Sequence, residues 1–147
     1  MHKKFIKILR DPLTGEDLEL IVNEENSSEV LSGKLVSSSN TYEISNGIPR
    51  FVKDEGYSDN FGWQWNKWAR VQFEDENIGR PMEGYSKNMF STITEFSRSE
   101  IQNKLVLDIG CGSGRFTDIV SNMGATTIAL DYSNAIDAAK DNVTNKN

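Results

Sequence analysis

Lys104 to Asp131 reads KLVLDIGCGSGRFTDIVSNMGATTIALD, and the rest of the chain is arranged around it. Leu105-Val106-Leu107 is a short apolar run of the kind that makes a strand buried on both faces. It leads into Asp108-Ile109-Gly110-Cys111-Gly112-Ser113-Gly114, where glycines let the backbone turn sharply and approach a ligand with no side chain in the way. Phe116, Ile119, Val120 and Met123 then recur at helical spacing, so the turn opens an amphipathic helix, which Gly124 ends. Thr126 to Leu130 is a second strand, closed by Asp131. The stretch is a βαβ unit with a nucleotide-sized opening at its glycine turn.

The glycine spacing separates the candidate ligands. A dinucleotide fold wants G-x-G-x-x-G, with a pyrophosphate on the helix N-terminus. Gly110, Gly112 and Gly114 read G-x-G-x-G, followed by Arg115. Asp108 precedes the turn, and a carboxylate there suits a ligand carrying positive charge better than a pyrophosphate. S-adenosylmethionine has an ammonium, a sulfonium and no phosphate. The stretch resembles the first motif of class I S-adenosylmethionine-dependent methyltransferases: an acid, a spacer and G-x-G-x-G after the first strand. The resemblance implies that Gly110, Gly112 and Gly114, with Cys111 between them, line the methionine moiety, with Asp108 beside it. It further implies that Asp131 binds the ribose hydroxyls and that Tyr132 flanks the adenine. The glycine spacing disfavours a Rossmann oxidoreductase.

Composition bounds the remaining classes. The chain has 147 residues, enough for one ordinary domain or two small ones. A formal charge of -6 and a pI near 4.8 argue against a broad nucleic-acid surface, which needs clustered Lys and Arg. No apolar run is long enough to span a membrane, and the N-terminal residues lack the apolar core of a signal peptide. Cys111 is the single cysteine, so no internal disulfide forms, and a cytoplasmic location is the default expectation.

Phe5 to Val52 has the alternation of a small β-rich module. Leu18 to Val22 is a strand, Asn23 to Ser28 a polar turn, and Val30-Leu31 and Lys34-Leu35-Val36 flank Gly33. Ser37 to Asn40 is a loop. Tyr42 and Ile44 alternate with polar neighbours, and Asn46-Gly47 is a tight turn before Ile48 to Val52. Leu9-x-x-Pro12-x-x-Gly15-x-x-Leu18, Gly33-x-Leu35 and Tyr42-x-Ile44-x-x-Gly47-Ile48-Pro49-Arg50-Phe51 together resemble the zinc-ribbon-like activator protein of tRNA and protein methyltransferases. Zinc-bearing members of that family carry two cysteine pairs. In those regions this chain has Asp11, Thr14, Ser37 and Asn40, which are poor structural zinc ligands, so no metal is expected. A module of under ~50 residues has little core. Leu18, Leu20, Val22, Leu35, Tyr42, Ile44, Ile48 and Phe51 are the expected core residues.

Asp54 to Glu76 is dense in aromatics: Tyr57, Phe61, Trp63, Trp65, Trp68 and Phe73. Phe61, Trp65 and Trp68 share one helical face, expected as a core stripe joining the modules, with an aromatic wall over cofactor or substrate as the alternative. The string Tyr57-Ser58-x-Asn60-Phe61-Gly62-x-Gln64-Trp65-Asn66 resembles a segment ahead of methyltransferase domains that carry the same small module. Pro81 to Ser99 predicts a helical stretch with Met89, Ile93 and Phe96 on its apolar side. Ser133 caps a last helix with Ile136, Ala139 and Val143 on one face.

The fold expectation is therefore α/β. Residues 1–54 form a ribbon-like module without metal ligands, 55–103 an aromatic bridge with helices, and 104–147 the opening βαβ of an incomplete Rossmann-like methyltransferase sheet. The functional expectation is methyl transfer from S-adenosyl-L-methionine to an acceptor the sequence does not specify. The chain reads as a truncated or split enzyme whose missing strands a second chain would supply. The competing expectation is a noncatalytic activator that docks on a partner methyltransferase by strand addition. No residue stands out as a general base.

Overall fold

Residues 1–27, 29–52 and 59–143 are described in the computed structural model. Their contacts divide the chain into two units, Met1–Lys53 and Asp54–Asn147.

The first unit is an antiparallel sheet of β1 (Glu19–Asn26), β2 (Glu29–Val36), β3 (Thr41–Ser45) and β4 (Ile48–Pro49), in that order, after a 3-10 helix at Lys3–Ile8. Alternation in β3 buries Tyr42 and Ile44 and leaves their neighbours exposed. Asn46 and Gly47 both take positive φ, as a two-residue hairpin turn needs. Asn23 to Asn26, expected as a turn, continue β1 instead: irregular pairing around Glu24 carries the ladder past Val22 to Asn26. Gly33 lies inside β2, where an added Cβ would overlap the Ile21 carbonyl oxygen.

Leu18, Val30, Leu35, Tyr42 and Ile44 form the core, with Met1, Ile6, Leu9, Leu20 and Phe51 packed against it. Val22, expected inside, is exposed and Ile48 only half-buried; Val30, absent from the expected set, is fully buried. Val22 is the last residue of β1 in regular register before the pairing shifts, whereas Val30, near the start of β2, packs in the core.

Asp11 ties the loops of this unit together. It is 1% exposed and accepts bonds from Ser37 Oγ at 2.6 Å, Tyr42 OH at 2.7 Å and Asn40 Nδ2 at 2.9 Å. The backbone amides of Leu13 and Thr14 donate to it at 2.8 and 3.3 Å. The loops at 11–14 and 37–40 are thus joined through one carboxylate. Burial opposes its ionisation, but the bonds from Ser37, Leu13, Tyr42 and Asn40 outweigh that and hold it well below the usual carboxylate range. The Tyr42 hydroxyl is pushed up to about 12 by burial and by the Asp11 carboxylate it serves.

The second unit contains α1 (Asp59–Lys67), α2 (Tyr85–Thr94), α3 (Arg98–Ile101), β5 (Leu105–Ile109), α4 (Arg115–Asn122), β6 (Thr126–Leu130) and α5 (Ala135–Asn142). β5 and β6 pair in parallel, from Leu105 with Thr126 to Ile109 with Leu130. Gly124, at φ 97°, ends the α4 turn as expected. Phe90, Ile101, Ile119, Val120 and Ala125 form the core, with Val106, Phe116 and Met123 against it. α1 packs on α5, with Gly62 against Asn134. Asn142 secures the join by donating to the carbonyls of Ala69 and Ser113, both at 3.1 Å.

Three expectations are corrected here. β5 is not buried on both faces: Leu105, Leu107 and Ile109 are 56%, 54% and 76% exposed, because the described helices pack on the face carrying Val106. In α2 the buried residues are Ser86 and Phe90, while Ile93 and Phe96 line an open apolar groove with Val106 and Leu107. Glu95 at positive φ ends the helix before Phe96 can join its face. The aromatic stripe is not uniformly core either. Trp68 is exposed and meets Trp63 edge-on, with Lys67 Nζ over both rings. Tyr57 and the side chain of Phe61 lie outside the described residues.

No described helix is long and apolar enough to cross a membrane.

Candidate functional site

The glycine turn is held from β6 and its following loop. The amides of Gly110 and Cys111 both donate to Leu130 O, at 2.8 and 3.0 Å, and Gly112 N donates to Asp131 Oδ2 at 2.8 Å. The other oxygen, Asp131 Oδ1, accepts from Ser133 N at 2.8 Å and Ser133 Oγ at 2.6 Å. Ser133 Oγ in turn accepts from Ala135 N at 3.2 Å, so it serves the start of α5, where Asn134 occupies the cap position. On the opposite side Asp108 Oδ2 accepts from Thr117 Oγ1 of α4 at 2.6 Å. Two carboxylates therefore bracket the turn, Asp108 held from α4 and Asp131 held by the Gly112 amide and by Ser133.

Gly110, Gly112 and Gly114 all have positive φ, at 77°, 55° and 90°. Their surroundings differ. An added Cβ at Gly110 would meet nothing, and at Gly112 only the Trp65 indole at 3.9 Å. At Gly114 it would meet Ala139 Cβ and Val143 Cγ2 at 3.1 Å. The first two glycines leave open space, whereas the third lets α4 pack closely on α5. Gly114→Ala is therefore expected to cost about 1–2 kcal/mol from the left-handed backbone alone, with the α5 clash in addition. Chemical denaturation checks this against Gly79→Ala, also left-handed but in open space, where only the backbone cost of about 1–2 kcal/mol is expected.

These elements surround an open cavity of about 610 Å³. Of the residues read from sequence, Asp108, Gly110, Cys111, Gly112, Asp131 and Tyr132 line it; Gly114 lies behind the turn. Trp65, Gln72, Ser113, Arg115, Phe116 and Ser133 complete the wall. Trp65 lines the cavity and is half-buried. Helical spacing placed it on a face without deciding what that face covers. Arg115 and Gln72 carried no signal that periodicity could detect. Cys111 is buried, its thiol pushed up to about 12 by burial and then by the charges of Asp108 and Asp131. It stays protonated at neutral pH and is a poor nucleophile.

The wall offers two carboxylates, one guanidinium and three aromatic rings around an open backbone turn. That donor set fits an amino-acid nucleoside, with its ammonium, ribose diol and flat base. It lacks the several cations that a pyrophosphate would favour. Among the described residues no group of three or more His, Cys, Asp or Glu is placed to hold a metal ion.

Comparison with known proteins agrees with the resemblance read at the glycine turn. Residues 107–147 match the family model described as methyltransferase domain. An uncharacterized protein of Haemophilus influenzae (strain ATCC 51907 / DSM 11121 / KW20 / Rd) is 33% identical over 73 residues, covering 50% of this chain and 25% of that protein. The match thus spans about a quarter of the relative's length. A chain from the solved complex between the Haloferax volcanii Trm112 methyltransferase activator and a methyltransferase is 34% identical, covering 36% of this chain and 93% of that one, with a TM-score of 0.35.

Proposed function

We propose that the chain is part of an S-adenosylmethionine-dependent methyltransferase of unassigned acceptor, with the cavity at the glycine turn as its cofactor site. The observation that carries this reading is the pair of carboxylates flanking an open G-x-G turn inside residues that match a methyltransferase domain. Gly110 and Gly112 give the backbone close approach to the methionine portion, and Asp108 faces its ammonium. Asp131 receives the ribose hydroxyls, Tyr132 flanks the adenine, and Trp65 covers the turn from α1. The bound cofactor supplies an electrophilic methyl group. The chain's own residues orient it and exclude water, and positioning of this kind supplies much of the acceleration of a displacement reaction.

Within this reading residues 1–54 are a ribbon-like module stapled by Asp11 instead of zinc, 55–103 a bridge, and 104–147 the first part of the cofactor domain. Leu105, Leu107 and Ile109 present an apolar face that a further layer of protein would bury.

Titration with S-adenosylhomocysteine and, separately, NAD tests the proposal. Saturable binding of the thioether nucleoside with none of NAD is expected. Preference for NAD, or binding of neither at high concentration, would overturn it.

A further inference from the structure

One edge of β5 pairs with β6, and no described strand lies on the other. Lys104 O accepts from Thr126 N at 2.8 Å and Gly110 N donates to Leu130 O at 2.8 Å, so the even-numbered residues turn their backbone groups to β6. By the alternation of a ladder, the amides and carbonyls of Leu105, Leu107 and Ile109 point to the open edge. The same three residues carry the exposed side chains of the strand. The far edge of β6 differs, since its side chains from Thr126 to Ala129 are half-buried. An apolar strand with open amides and carbonyls is a template for another strand.

The sequence of β5 fits it to pair with itself. Leu107 is the midpoint of Leu105–Ile109, so a two-fold axis there sets Leu107 opposite its own copy and Leu105 opposite Ile109. Each of those pairs then exchanges both bonds of an antiparallel ladder. Lys104 and Asp108 fall on the other face of the strand, toward opposite ends. Antiparallel pairing brings Lys104 of one copy diagonal to Asp108 of the other, and the reverse, within reach of a long side chain. A strand pair alone buries less than a stable interface needs. The apolar groove of about 270 Å³ that adjoins β5 extends the surface, with Ile93 and Phe96 on its wall 65% and 55% exposed. We propose that two copies of this chain associate through the open edge of β5, antiparallel about Leu107, to form a continuous sheet in the order β6-β5-β5-β6.

Sedimentation velocity on the full chain over a concentration series tests this. The wild-type chain should form a dimer that dissociates on dilution. Leu107→Lys and Leu107→Glu each set like charges face to face across the axis, and each should weaken the dimer on the order of 100-fold or more. Leu107 is 54% exposed, so neither change enters the core, and unfolding curves check that both variants fold. Mixed in equal amounts, the two variants should recover the dimer, because a position that faces its own copy turns the two changes into a complementary pair. A wild-type monomer at every concentration would overturn the proposal. Association that both variants retain would place the contact elsewhere and overturn it too. Variants that stay monomeric when mixed would remove the axis at Leu107, and open-ended growth of the wild-type chain would exclude a closed pair. A chain that is monomeric alone and binds a different polypeptide at this edge would give the edge to that partner and overturn the self-pairing. None of these outcomes touches the cofactor reading, which the ligand titration decides separately.

Discussion

Asp11→Ala is expected to abolish cooperative unfolding of the Met1–Lys53 unit or lower its midpoint by on the order of 10 °C or more. The reason is the number of groups that one carboxylate satisfies. Ser37, Asn40 and Tyr42 donate side-chain bonds to it and Leu13 and Thr14 donate backbone amides, so truncation strands several donors at once. A unit this small has little apolar core to offset that loss. Asp11→Asn keeps one acceptor oxygen and the side-chain volume, and should fall between. Amide exchange in β2 and β3 with thermal denaturation reads the difference. A midpoint unchanged in Asp11→Ala would show that the core alone holds the sheet.

The same network sets the pH range of the unit. The Asp11 carboxyl is depressed in the folded state, so its stabilisation is complete above the unfolded value of about 3.9 and is lost as pH falls through the folded one. The Tyr42 hydroxyl is raised to about 12, so its contribution is complete below the unfolded value near 10 and is lost as pH rises through about 12. Stability should be level between those limits. Asp11→Asn should remove the acid edge and bring the alkaline edge down. Because a carboxylate occupies the centre of the network, a strong chelator should leave the melting profile unchanged. One zinc per purified chain by elemental analysis would refute that.

The βαβ unit was legible because its signals are local. Glycine spacing, the 3.6-residue recurrence of Phe116, Ile119, Val120 and Met123, and the acids at two strand ends all lie within one 28-residue stretch. What failed depended on partners distant in sequence. Leu105-Val106-Leu107 has the composition of a doubly covered strand, but coverage is a property of the neighbours, and only the Val106 side is packed. The α2 stripe was misread for a related reason: Glu95 takes a left-handed conformation and stops the helix one residue before Phe96. Trp65 and Trp68 shared a predicted face, yet one lines the cavity and the other is exposed beside Lys67. The Asp11 network joins positions 26 to 31 residues apart through polar side chains, which hydrophobic periodicity does not register. The poor metal-ligand chemistry of Asp11, Thr14, Ser37 and Asn40 was readable; their shared hydrogen-bond centre was not.

Asp131→Ala is expected to weaken S-adenosylhomocysteine binding on the order of 100-fold or more, and Asp137→Ala by less than about twofold. A carboxylate accepting from both ribose hydroxyls loses two charge-assisted bonds on truncation, at roughly 1.5–3 kcal/mol each. Asp131 has a second task, since it already holds Gly112 N and Ser133, so its removal also loosens the turn that faces the ligand. Asp137 lies in the first turn of α5, where a negative charge contributes a few tenths of a kcal/mol through the helix dipole. The two tasks of Asp131 are separable. Ser133→Ala removes one donor to the carboxylate while leaving the acid itself, so it should change turn stability more than affinity. Asp131→Asn retains the side-chain shape and one acceptor oxygen, and should bind more weakly than wild type with the turn largely intact. Calorimetric titration of the four variants, each paired with its unfolding curve, distinguishes ribose recognition from turn support. Equal loss of affinity in Asp131→Ala and Asp137→Ala would move the ribose site elsewhere. Loss of affinity in proportion to loss of stability across the series would reduce Asp131 to a support of the glycine turn.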